Sequence, residues 1–244
     1  MRRSFLSGLA LALVLFSSCA RADGLAPLGP PGVPAARFPG PVRPVAPVVS
    51  DRWRDEDARE RVGEAARVID WLGLRPGMAV ADIGAGSGYY TVRFAARVGP
   101  GGQVLAEDVV ADYLVGLQRR VVRDGLAQVR VGLGEPGDPR LPPASVDLAV
   151  LVHMYHEITQ PYALLANLVP ALRPGALVGI LDVDGPIEAH GTPRALLECE
   201  LAAVGYRQVA FHLLLDRPPR SEYLAVFAPP ATLPAPDAIR PCAP

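Results

Sequence analysis

The 244-residue sequence has almost no net charge, few cysteines and no apolar run long enough to span a bilayer. Twenty-four Lys and Arg against 25 Asp and Glu leave a formal charge of −1. That balance gives no electrostatic footprint for nucleic acid or for an anionic membrane surface. Cys19, Cys199 and Cys242 show none of the paired spacings of a metal centre, and no metal is expected. If Cys19 is removed or lipidated, the one pairing left is Cys199 with Cys242. Cys199 falls in a helical pattern, however, and reads as a small packed hydrophobe. The apolar stretch at residues 6–16 is well short of the roughly 20 residues a spanning helix needs. With Arg2 and Arg3 before it and small residues at 17–22 after it, it reads instead as an export signal over residues 1–22. Cys19 is an alternative acylation site, although Phe16 stands where lipoprotein signals usually carry Leu. The expected location is therefore periplasmic or membrane-tethered, and cytoplasmic only if this N-terminus is not a functional signal. A lipid or an uncleaved signal is the only membrane contact implied.

Proline is the abundant exception. Its 27 copies are about twice the usual share of roughly 5%, and they cluster. Residues 23–50 carry Pro27, Pro30, Pro31, Pro34, Pro39, Pro41, Pro44 and Pro47. They are expected to be an extended or disordered linker, because proline has no N–H for a ladder. Residues 229–244 repeat that composition and read as a disordered tail. A single folded domain is left at about residues 51–228, a usual domain length.

Within it, helical and strand patterns alternate. Helices are expected at 51–72, 90–98, 111–124, 161–172 and 194–203. Apolar strands are expected at 78–83, 104–106, 127–131, 146–152, 176–183, 207–214 and 223–227. This order predicts an α/β fold, a Rossmann-like seven-stranded and mostly parallel sheet with helices on both faces and the last strand antiparallel. Such sheets bind ligands at the carboxyl ends of their strands.

The segment Asp82-x-Gly84-x-Gly86-x-Gly88 sits at such a strand end and precedes a helix. Glycines let the backbone turn tightly and approach a ligand closely, and the helix start offers free N–H groups to an anion. Asp82 can accept from an ammonium. Anion donors beside a carboxylate fit the zwitterionic methionine end of S-adenosylmethionine. The rival dinucleotide fingerprint needs Gly or Ala where Tyr89 stands.

From these residues onward the chain resembles the class I S-adenosylmethionine-dependent methyltransferases, and in its subgroup the exported type. The match runs over about residues 54–227. Leu74-Arg75-Pro76-Gly77 leads into the glycine loop, and Gly101-Gly102-Gln103-Val104-Leu105-Ala106-Glu107-Asp108 is similar to the family's second motif. Leu172-Arg173-Pro174-Gly175 is similar to a late turn, with Ala176 replacing the family's second glycine. The resemblance implies that Asp108, or else Glu107, binds the ribose hydroxyls. It implies that Glu135 or Asp138 accepts from the adenine amine, and that Asp82, Gly84, Ala85, Gly86, Gly88 and Tyr89 border the donor.

Methyl transfer needs a base only when the nucleophile carries a proton. His153 and His156 follow the fourth strand and are the candidate catalytic residues, His153 facing the sulfonium. No Asn-Pro-Pro-Tyr or Asp-Pro-Pro-Tyr sequence is present. That absence points away from nucleic acid and toward a small-molecule acceptor. The charge run at residues 52–61 reads as a solvated helix face, or as a lid over the donor. Two other functions stay open: a non-catalytic S-adenosylmethionine or S-adenosylhomocysteine-binding module of the same fold, and an NAD-dependent oxidoreductase.

Overall fold

The computed structural model describes residues 25–48, 56–218 and 220–243, so the expected export signal lies outside the described residues. Strands β1 (Ala79–Ile83), β2 (Gln103–Asp108), β3 (Val129–Leu133), β4 (Val146–Val152), β5 (Leu172–Asp184), β6 (Arg207–Leu215) and β7 (Ser221–Ala228) form one sheet. Its order is β3-β2-β1-β4-β5-β7-β6. The first five strands are parallel. β7 runs antiparallel between β5 and β6, which is the expected fold class.

Helices α1 (Glu56–Arg61), α2 (Glu64–Trp71), α3 (Tyr89–Val98), α4 (Ala111–Arg123), α5 (Pro161–Leu168) and α6 (Arg194–Val204) flank the sheet. Alternate residues of the strands feed two cores. Val80, Val104 and Leu148 pack with Val68, Phe94 and Leu117 of α2, α3 and α4. Ala81, Leu105 and Ala149 pack with Leu165 and Leu201 of α5 and α6. A strand buried on both faces cannot alternate polar and apolar residues, and β1 is buried along its whole length.

Helix boundaries differ from expectation at two breakers. The helix expected over 51–72 is two helices, because Gly63 turns left-handed between them at φ 64°. The helix expected over 161–172 stops at Leu168. Residues 169–171 tighten into a 3-10 turn, where Pro170 has no N–H to continue the ladder.

The larger difference concerns the proline-rich ends. Residues 25–48 are not a free linker but a strap laid over the α5–α6 side. Phe38 is buried in the core there, a burial worth about 2 kcal/mol. The strap's N–H groups find side-chain partners: Gly32 donates to Asp138 Oδ2 at 2.7 Å and Val33 to Asn167 Oδ1 at 2.8 Å. Arg43 forms a fully buried ion pair with Glu200 of α6 at 2.9 Å. Tyr155 donates to the other oxygen of that carboxylate at 2.8 Å. The tail is likewise docked: Ile239 is buried, and Cys242 is bonded to Cys199. Extended backbone outside the sheet is here satisfied by side chains and by backbone bonds to Leu133 and His156. Among the described residues, no helix is long and apolar enough to cross a membrane.

Candidate functional site

A cavity of about 260 Å³ opens at the carboxyl ends of β1, β2 and β4. Its floor is the loop after β1. Gly84 has φ 69°, and a Cβ there would stand 2.9 Å from the Met154 side chain, so the turn closes only with glycine. Gly88 caps α3 in a left-handed conformation.

Three carboxylates crowd this end of the sheet. Asp82 is buried and accepts from Thr91 Oγ1 at 2.5 Å. Burial pushes its carboxyl up to about 7; the Thr91 hydrogen bond opposes that, and the charge of Asp108 adds to it. Burial, then the charge of Asp108, also raises Glu107 well above the usual range, with a backbone hydrogen bond from Gly84 opposing. Asp108 is raised by burial too, against backbone hydrogen bonds. Its Oδ2 accepts from Gly86 N–H at 2.9 Å and its Oδ1 from Val110 N–H at 2.8 Å. The carboxylate thereby ties the end of β2 to the glycine loop. Each oxygen keeps a lone pair for a further donor. Groups raised together in one cleft mark a site that a cationic, hydroxyl-bearing ligand would relieve.

The opposite wall is the end of β4. His153 takes φ 51°, an uncommon conformation for a non-glycine residue. Burial lowers its pKa to about 4, against the pull of Glu64, so the ring is neutral at physiological pH. Its Nε2 is 3.9 Å from Glu64 Oε1. Arg59 of α1 pairs with Glu64 and lies 3.9 Å from the Tyr89 ring centroid. Tyr90 donates to Glu64 at 3.0 Å. Burial works against the charge of Glu64, but His153 where its ring is protonated, together with Arg59 and Tyr90, holds its carboxyl below the usual range.

Of the residues singled out from the sequence, Asp82, Gly84, Ala85, Gly86, Tyr89, Glu107, Asp108 and His153 line the cavity. Gly88 acts through the helix cap. Glu135 and Asp138 are not in the wall. Glu135 is largely exposed and pairs with Arg140, while Asp138 accepts from the backbone of Gly32 and Arg140. Pro136 is the residue of that loop that reaches the cavity. His156 is also outside it. The 3-10 turn Tyr155–Glu157 carries the ring behind the wall, where Nδ1 meets Asp182 Oδ1 at 3.0 Å. It therefore has no path to the donor as a base.

Sequence reasoning missed Arg59, Tyr113 and Met154, all in the wall. Arg59 stood in the charge run read first as a solvated face. It is 9% exposed instead, because the break at Gly63 lets α1 fold its arginine inward onto Glu64.

Residues 80–175 match the model of a family described as a methyltransferase domain. The chain is similar to the nocamycin O-methyltransferase of Saccharothrix syringae, 31% identical over 50% of this chain and 43% of that one. It is also similar to a ubiquinone/menaquinone biosynthesis C-methyltransferase of Idiomarina loihiensis, 29% identical over 50% of this chain and 49% of that one. The chain thus spans about half the length of these curated relatives. Among solved structures it is similar to a SAM dependent methyltransferase from Aquifex aeolicus. The TM-score is 0.65 at 24% identity, over 72% of this chain and 95% of that one.

Proposed function

From the premise that the chain belongs to the class I S-adenosylmethionine-dependent methyltransferase family, we propose that it methylates a small-molecule acceptor. The observation that carries this is the glycine loop with three buried carboxylates around one cavity at the strand ends. When bound, S-adenosylmethionine supplies an electrophilic methyl group on a sulfonium, so alignment is the main demand on the protein.

The residues present fit that donor. The free lone pairs of Asp108 suit two ribose hydroxyls. The N–H groups at the start of α3 suit the methionine carboxylate, and Asp82 suits the ammonium. A neutral His153 at the cavity wall places no positive charge against a sulfonium. With its lowered basicity it positions an acceptor rather than storing a proton. Apolar Ile158, Leu164 and Val152 in the same wall suit a small organic acceptor, and a net charge of −1 suits no polyanion. The bond between Cys199 and Cys242 supports export to an oxidising compartment, in keeping with the charged and apolar start of the sequence. Neither the binding-module reading nor the oxidoreductase reading gains an observation of its own.

Calorimetric titration of the full chain with S-adenosylhomocysteine tests the donor assignment. Saturable one-to-one binding is expected. Absence of heat at millimolar ligand would sink it, and thermal stabilisation by NAD alone would transfer the cavity to the oxidoreductase reading.

A further inference from the structure

Behind the cavity wall lies a polar cluster that the methyl-transfer reading does not use. His156 and Glu157, on the turn after β4, meet His190, which follows the turn after β5. One ligand atom from each lies within 4.8 Å of the other two. Glu157 Oε1 is 3.9 Å from His156 Nε2 and 3.9 Å from His190 Nδ1. The imidazole centroids are 5.3 Å apart, edge to face at 86°.

The surroundings of His156 orient it toward this point. Its Nδ1 lies 3.0 and 3.1 Å from the two oxygens of Asp182, a contact that fixes the ring so that Nε2 faces Glu157. Asp182 is itself fixed, accepting from Thr192 Oγ1 at 2.7 Å and from Val183 N–H at 2.8 Å. Tyr223 in turn donates to Thr192 O at 2.9 Å. The backbone carbonyl of His156 accepts from Ala46 of the strap at 3.0 Å. The ring is 1% exposed, and its Nε2 has no hydrogen-bond partner among the described residues. A buried polar group left so is destabilising. A carboxylate holding one imidazole nitrogen while the other faces a second imidazole and a carboxylate is the arrangement that orients metal ligands. His190 adopts φ 55°, held by its N–H to Ile187 O at 2.9 Å.

We propose that His156, Glu157 and His190 bind a divalent first-row transition-metal ion of the zinc class, with Asp182 as the positioning residue. Two imidazoles and one carboxylate suit such an ion and leave a coordination position open. Metal–ligand bonds of about 2.1 Å place ligand atoms roughly 3.4 Å apart, so each 3.9 Å separation closes by about 0.5 Å. Glu157 also lines the donor cavity. The site therefore sits at its wall without sharing the three donor-facing carboxylates.

The test uses the untagged full chain, stripped with a chelator, dialysed against Zn²⁺ and passed through a desalting column. One retained zinc per chain is expected by elemental analysis, with Co²⁺ giving the absorption bands of nitrogen–oxygen coordination. His190→Ala and Glu157→Gln should each weaken Zn²⁺ binding at least about tenfold, and Asp182→Asn about 10–100-fold, with circular dichroism checking the fold of each. No retained zinc in a folded wild-type chain, or folded variants that retain it unchanged, overturns the site. Binding of S-adenosylhomocysteine to the same stripped sample reports on the donor cavity independently.

Discussion

The two walls of the cavity are held together in opposite ways. On the β1–β2 side the polar contacts are local or nearly so: Asp108 caps Val110 two residues on, Thr91 reaches Asp82 across nine, and Gly86 reaches Asp108 across 22. On the β4–β5 side two of the contacts span long stretches of the chain: Gly32 with Asp138 across 106 residues, and Arg43 with Glu200 across 157. One wall is specified by contiguous segments and shaped for a ligand common to a family. The other is assembled by docking remote segments, and the proposed acceptor and the proposed metal belong to that wall.

If the comparison holds, lesions on the remote wall should cost stability and spare donor affinity. The largest effect is expected from Arg43→Met, which strands Glu200 without its counter-charge. Breaking one partner of a buried pair costs about 3–5 kcal/mol, measurable by urea unfolding. Undiminished S-adenosylhomocysteine affinity in the folded fraction would sharpen the comparison, and a matching loss of affinity would break it. Asp108→Ala is the mirror case. Losing two hydrogen bonds to a charged acceptor costs about 3 kcal/mol, or roughly 100-fold in affinity. If calorimetry finds affinity unchanged, the ribose assignment goes.

A smaller effect follows from Asp82, whose carboxyl sits at about 7 in the folded chain. A raised pKa means that the proton is held more tightly when folded. That contribution to stability is full below the ordinary carboxylate range and is lost as pH rises through 7. The ammonium of the ligand's amino-acid end prefers the ionised form of Asp82, so S-adenosylhomocysteine should bind about tenfold more tightly at pH 8 than at pH 6. Asp82→Asn should flatten that profile, and a profile unchanged in the variant would assign the titration elsewhere.

The same contrast governs what the sequence made legible. The sheet, its order of elements and the loop from Asp82 to Gly88 could be read because periodicity and glycine spacing act over a few residues. Asp108, with Glu107 as its alternative, could be read only through the resemblance of residues 101–108 to the family's second motif. The strap could not, because Phe38 and Arg43 sit in a segment without period, and their partners lie far along the chain. Cys199 and Cys242 carried no code that distinguished a bond from a buried thiol. His156 was placed in the cavity because residues after a strand usually face it, and a single 3-10 turn was enough to rotate it away. Arg59 was hidden in a run of alternating charges whose inward side appears only once Gly63 breaks the helix.

The strap has a consequence for the order in which the molecule assembles. Residues 25–48 precede everything they bind, and their partners lie at Leu133, Asp138, Asn167 and Glu200. Contacts of such separation form late, after the loop-closure entropy of the intervening chain has been overcome. During synthesis this segment must wait, exposed, beside a growing sheet whose open edges can recruit any extended backbone. A strap rich in β-branched residues would add to such an edge as a misplaced strand. One interrupted by Pro27, Pro30, Pro31, Pro34, Pro39, Pro41, Pro44 and Pro47 lacks the N–H groups to do so. Its proline content thus disfavours strand pairing of the segment before its distant partners are in place.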